Sequence, residues 1–194
     1  KKRSKSTKSQ LLISNKRIDW GYKQTLLSVQ SRLDMQMEKN GQKVLLVSST
    51  LPQEGKSMAA VNLALAFMQH EKKTVLIDGD LRKPSVAEML GMEEQKGLAE
   101  YLKGNAKVKE VLQKKGDLTV IQGGKVHGNI SSLMDESRME ELMTFLKSEF
   151  DYVIIDTPPA YLFSDAAILA GYADRVLYVV RHDMAEIPQI EKGM

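Results

Sequence analysis

The feature that most constrains this chain is the segment Val44-Leu-Leu-Val-Ser-Ser-Thr-Leu-Pro-Gln-Glu-Gly-Lys-Ser57. A continuous apolar run leads into Gly-Lys-Ser, and an apolar-periodic stretch, Met58 to Phe67, follows. A buried strand, a tight loop and a helix in that order make a phosphate-binding P-loop. Backbone N–H groups of residues 51 to 57 would wrap a nucleotide's β-phosphate at the positive end of the following helix. The cradle is Pro52, Gln53, Glu54, Gly55, Lys56, Ser57 and Met58. Lys56 would reach the β- and γ-phosphates, and the Ser57 hydroxyl would ligate Mg²⁺. The general pattern G-x-x-x-x-G-K-[ST] opens on a glycine, whereas this chain has Thr50 there. The segment nevertheless predicts binding of a nucleoside triphosphate.

Composition narrows the class. A chain of 194 residues is enough for one domain that closes its own core. Hydrophobic content of 42% beside 27% charged residues is that of a globular protein in water. No apolar run approaches the ~18 residues that a membrane span needs, and no signal peptide is recognisable. Without cysteine there is no disulfide, thiolate metal site or cysteine nucleophile. His70, His127 and His182 are scattered with no metal-ligand spacing.

Charge is unevenly placed. Lys1, Lys2, Arg3, Lys5 and Lys8 crowd the first eight residues, and without them the net charge falls from +3 to −2. Nucleic acid is therefore not the expected partner of the body. Residues 1–17 read as a basic arm, and 18–194 as the P-loop domain. Two readings of the arm fit its composition: a solvated linker, or a juxtamembrane segment beside anionic lipid or after a transmembrane helix.

Beyond the arm, the pattern predicts a helix over Asp19–Lys39, ended by Asn40-Gly41. Strands are expected at 43–48, 74–78, 118–121, 152–156 and 175–181. Helices are expected at 57–70, near 84–90, 97–103 and 107–114, from Asp135 (as a cap) to about 149, at 164–171, and from 184. Short apolar strands alternating with helices predict an α/β fold, a doubly wound and mainly parallel sheet covered on both faces. Ligands of such sheets bind at the carboxyl ends of the strands.

Two more strand ends carry charge there. Tyr152-Val-Ile-Ile-Asp-Thr-Pro-Pro159 is an apolar strand ending in Asp156, the Walker B layout, which can hold Mg²⁺ through its water shell. Val75-Leu-Ile-Asp-Gly-Asp-Leu-Arg-Lys-Pro84 ends in Asp78 and Asp80, with Arg82 close behind. Each is common alone; three strand ends in the expected order are not.

Together these segments resemble the bacterial tyrosine kinases, the BY-kinase family involved in capsular and extracellular polysaccharide production. The family's P-loop S-x-x-P-x-x-G-K-S matches Ser49 to Ser57. Its extra acidic motif D-x-D-x-R, called Walker A′, matches Asp78, Asp80 and Arg82. Its hydrophobic-D-T-P-P matches Asp156 to Pro159, and Asn62-Leu63-Ala64 fits as well. Septum-site and plasmid-partition ATPases share the fold, but their signature lysine four residues before the motif's last glycine is Leu51 here.

The resemblance implies an ATP- and Mg²⁺-dependent protein-tyrosine kinase domain, binding ATP or ADP through the cradle and Arg82. Ser57, Asp78 and Asp156 would face the metal, while Lys56, Asp78 and Asp80 would serve the transfer. Asp78 is the candidate for the carboxylate that accepts the tyrosine proton; Asp80 would position either Mg²⁺ or Arg82. The implied partners are a membrane-embedded polysaccharide chain-length regulator and tyrosine substrates, including a tail of the chain itself. The implied place is the inner face of the plasma membrane. Two further readings remain open, a positioning ATPase and a non-catalytic nucleotide-binding scaffold.

This sequence departs from the family pattern at three places. The helix motif E-x-x-R-x-x-R that mediates ring assembly is represented by Trp20, Lys23 and Leu26, so self-association is expected to be weak. The usual Pro-rich loop is His127 to Ser132. No tyrosine-rich tail follows before Met194, and the domain is expected to continue past that point.

Overall fold

In a computed structural model, the structure describes residues 11–126, 130, 133 and 136–194. Among these, helices and strands alternate: α1 (Trp20–Lys39), β1 (Val44–Ser49), α2 (Lys56–Gln69), β2 (Thr74–Asp78), α3 (Val86–Leu90), α4 (Leu98–Leu102), α5 (Val108–Val111), β3 (Gln113–Lys115), β4 (Leu118–Ile121), α6 (Glu136–Glu149), β5 (Tyr152–Asp156), α7 (Asp165–Ala170), β6 (Arg175–Val179) and α8 (Ile187–Gly193). The strands form one sheet in the order β3-β4-β2-β5-β1-β6. All neighbours are parallel except β3 and β4.

The central strands explain their own composition. Every residue of β1, β2 and β5 is buried, so both faces must be apolar. Leu45, Val47, Leu76 and Ile154 point into the core under α1 and α2, whereas Val44, Leu46, Val75 and Ile155 point into the core under α4 and α6. Alternation along each strand thus feeds two layers, and the doubly wound expectation is met. Asp19 caps α1, its Oδ1 accepting the Tyr22 N–H at 2.8 Å.

One expected helix is shorter than anticipated. The segment 107–114 holds only the single turn of α5, after which Gln113–Lys115 pairs antiparallel with β4. Gly116-Asp117 makes the two-residue turn, with Gly116 at φ +60°, and a glycine at the first central position suits a tight hairpin. The last strand also stops at Val179, not Arg181.

The residues before α1 are not all arm-like. Leu12 and Ile13 are buried in the core against α2. Asn62 of α2 clips them there: its Oδ1 accepts the Ile13 N–H at 2.7 Å and its amide donates to Leu11 O at 3.1 Å. Packing therefore begins before the boundary drawn at residue 17. Residues 1–10, the Asp135 cap and most of the His127–Ser132 loop lie outside the described residues. Among the described residues no helix is long and apolar enough to cross a membrane.

Candidate active site

The sheet order places β2, β5 and β1 side by side, with Asp78 in register with Asp156 and Asp156 in register with Val47. Their carboxyl ends bring the three motifs together. Gly79 makes this closeness possible: its N–H donates to Asp156 O at 2.8 Å. A Cβ on Gly79 would stand only 2.7 Å from that same oxygen.

The P-loop runs from Thr50 to Gly55, with Gln53 at φ +69° and Gly55 at φ +101°. Nothing lies within 4 Å of where a Gly55 Cβ would be, so backbone conformation, not crowding, requires the glycine. Thr50 replaces the motif's first glycine because its side chain turns away from the loop. It is buried toward β6, where its Oγ1 accepts the Tyr178 hydroxyl at 3.2 Å.

Glu54 braces the loop. Its Oε2 accepts the Leu51 N–H at 2.6 Å and its Oε1 accepts the Arg181 N–H at 3.3 Å. The Ser49 hydroxyl adds a 2.9 Å bond to Leu51 O. A buried carboxylate satisfied by two backbone donors fixes the loop's curvature from inside. Glu54 therefore contributes more than the backbone N–H that the motif assigned it.

At the start of α2 the side chain of Lys56 is buried among carboxylates. Its Nζ lies 2.9 Å from Asp80 Oδ2 and 3.6 Å from Asp156 Oδ1, and donates to Ser57 Oγ at 3.0 Å. Burial alone would lower the Lys56 pKa, but Asp156 and Asp80 more than offset it, and the net shift is upward. The lysine stays charged. Asp80 also receives the Lys83 N–H through Oδ1 at 3.1 Å.

Asp78 and Asp156 are fully buried. Asp78 Oδ2 accepts the Ser85 and Val86 N–H groups at 2.9 and 3.0 Å. Its Oδ1, and both oxygens of Asp156, have no donor of ordinary geometry. Burial raises the pKa of Asp78, and the neighbouring Asp156 charge raises it further. Burial likewise raises Asp156, with the Lys56 charge and Ser57 hydroxyl offsetting part of the effect.

Such donor-poor oxygens beside a serine hydroxyl suit a hydrated Mg²⁺, which takes one or two carboxylates and completes its shell with water and phosphate. Among the described residues no three His, Cys, Asp or Glu side chains form a closed metal cage. A nucleotide and water would have to supply most of the ligands.

Arg82 is engaged elsewhere. Its Nε donates to Asp165 Oδ2 at 2.7 Å, its Nη2 to Asp165 Oδ1 at 3.3 Å, and the guanidinium lies over the Phe163 ring at 4.3 Å. It ties the segment after β2 to α7, which follows β5. Sequence reasoning missed Asp165, and no local signal marks it, because its partner lies 83 positions away.

The comparisons agree with this geometry. A protein-family model described as ParA, NUBPL iron-transfer P-loop NTPase, matches residues 40–169. The tyrosine-protein kinase YwqD of Bacillus subtilis (strain 168) is 35% identical over 153 residues, which is 78% of this chain and 65% of YwqD. The tyrosine-protein kinase etk of Escherichia coli (strain K12) is 30% identical over 169 residues, 86% of this chain but 23% of etk. The chain thus spans under two thirds of either relative. The solved kinase domain of Escherichia coli ETK superposes with a TM-score of 0.84 at 28% identity, covering 88% of this chain and 68% of that one. The chain belongs to the P-loop NTPases of the ParA family and, within them, groups with the kinase domains of bacterial tyrosine kinases.

Proposed function

We propose that this domain transfers the γ-phosphoryl group of ATP to protein tyrosine, with Mg²⁺ bound. The observation that carries the reading is the pairing of Lys56 with Asp80 at 2.9 Å. It brings Asp80, two residues past the end of β2, onto the P-loop lysine, with Asp78 at the strand end itself, so that one strand end would serve both nucleotide and acceptor. The backbone of the loop and Lys56 would hold the β- and γ-phosphates. Ser57 and Asp156 would hold Mg²⁺, which when bound neutralises phosphate charge during the transfer. Asp78, whose burial raises its pKa, is the better placed of the two β2 carboxylates to take the tyrosine proton, since Asp80 is committed to Lys56. Most of the acceleration in such a site comes from positioning and charge neutralisation.

The domain would act at the inner face of the plasma membrane with a membrane-embedded regulator of polysaccharide chain length. Support for this is the basic start of the chain and its likeness to tyrosine-protein kinases such as etk. Incubation with labelled ATP, Mg²⁺ and a tyrosine-rich peptide tests the reading. Phosphotyrosine above the no-enzyme control is expected. Free phosphate without phosphotyrosine would favour the positioning ATPase, and neither product would favour a nucleotide-binding scaffold.

A further inference from the structure

The segment that leads into α1 carries a surface that the candidate active site does not use. Residues 11–19 run as turns, and both ends of the stretch from Leu11 to Tyr22 meet at one buried side chain. The Asn62 amide donates to Leu11 O at 3.1 Å and to the Tyr22 hydroxyl at 3.4 Å. The residues between them therefore share one small knob, anchored from beneath by the buried Leu12 and Ile13. Its outer side is apolar and basic at once. Trp20 is 75% exposed and Leu11 is 52% exposed, while Lys16 and Arg17 are exposed between them in the chain. Asp19 is occupied as the N-cap of α1, where its Oδ1 accepts the Tyr22 N–H.

Single exposed apolar residues are ordinary on protein surfaces; the charge around this pair is what points to an occupant. The first 23 residues hold eight basic residues against Asp19 alone, and without them the net charge falls from +3 to −4. Positive charge is thus gathered at one end of an otherwise acidic molecule. Two such knobs brought face to face would repel each other, so a second copy is a poor match. An anionic lipid surface answers both halves of the knob. Each Lys or Arg near such a surface strengthens binding roughly fivefold, and an indole settles at headgroup level with its apolar body below and its N–H in the wet layer. We infer that this knob docks on an anionic bilayer, with Lys16 and Arg17 against the headgroups and Trp20 and Leu11 in the interfacial layer. The inference rests on the membrane-face placement in the proposed function and not on phosphoryl transfer. It gives the contact to folded residues, not to the basic start of the chain alone.

Trp20 is the sole tryptophan of the sequence, so its own fluorescence reports the contact. The full chain is mixed with vesicles of phosphatidylcholine, alone or with phosphatidylglycerol, and flotation measures how much protein binds. With the mixed vesicles the emission is expected to shift to the blue and to be shielded from acrylamide; phosphatidylcholine alone should leave both unchanged. Lys16→Gln/Arg17→Gln should weaken flotation by roughly thirtyfold at low salt, less as salt rises, with ADP affinity unchanged. Flotation with an unmoved tryptophan spectrum overturns the inference and keeps the membrane placement, because the basic start of the chain would then bind by itself. Neither flotation nor a spectral shift removes both. A blue shift that needs no vesicles and grows with protein concentration overturns the inference in favour of a second copy. Phosphotyrosine formation, measured in parallel, tests the transfer independently of these results.

Discussion

Replacing the P-loop lysine by methionine tests the site without any ligand. Lys56 Nζ lies 2.9 Å from Asp80 and 3.6 Å from Asp156. At an effective dielectric near 20 those distances correspond to gross attractions of about 6 and about 5 kcal/mol. Burying the ammonium cancels much of this, and removing one partner of a buried pair typically costs ~3–5 kcal/mol, because the remaining charge is left uncompensated. Against a total stability of ~5–15 kcal/mol, Lys56→Met should remain folded but be severely weakened near pH 8.

The loss must depend on pH in a definite sense. A carboxyl whose folded-state pKa lies above its unfolded value leaves stability intact below the unfolded value, about 4. Stability falls as pH rises through the folded value, which is about 7 for Asp78. Removing Lys56 pushes these carboxyls higher still, so most of the loss should vanish near pH 5, where they take up protons. Urea unfolding of parent and variant, followed by circular dichroism at pH 5 and pH 8, measures this. Adding Asp80→Asn to the variant should recover part of the stability at pH 8. An equal loss at both pH values, or no recovery in the double variant, would refute the claim that Lys56 compensates buried carboxylates.

Four other outcomes are expected. Asp78→Asn should lower phosphate transfer to tyrosine by ~10²–10⁴-fold while ADP affinity changes little, and an equal fall in both would make Asp78 a binding residue. Glu54→Gln loses the charge-assisted brace of the P-loop, so calorimetry should show ADP affinity weakened by roughly tenfold, about 1.4 kcal/mol, with the secondary structure intact. Arg82→Ala strands the buried Asp165 and should cost about 2 kcal/mol of unfolding free energy, with ADP affinity unchanged if Arg82 is a clamp and not a ligand. With Trp20 and Leu26 at two charged positions of the family's assembly motif, light scattering at micromolar protein should find monomer or dimer; a stable octamer would show that apolar contacts have replaced the ion pairs.

What could be read from the amino-acid order was whatever depends on local pattern. Val44 to Val47, Val75 to Ile77 and Val153 to Ile155 are short apolar runs, which only a sheet covered on both faces can bury, so the fold class followed from them. Gly55-Lys56-Ser57 after such a strand marks the phosphate loop, since its glycine, charge and hydroxyl have fixed spacings along one turn. The positions of Asp78, Asp80 and Asp156 at strand ends were legible for the same reason. Their mutual arrangement was not. It depends on β5 inserting between β1 and β2 and on Gly79 pressing against Asp156, contacts between residues far apart in the chain. The strand Gln113–Lys115 escaped notice because an edge strand needs no apolar alternation: only Gln113 of its three residues is buried. Arg82 was assigned by its motif, but its partner Asp165 sits at the start of α7, 83 positions on, and only the packed structure could show that pairing. Asn62 and Glu54 teach the same point. Residue type sets what a side chain can bond, while the tertiary fold decides which donor, acceptor or charge it meets.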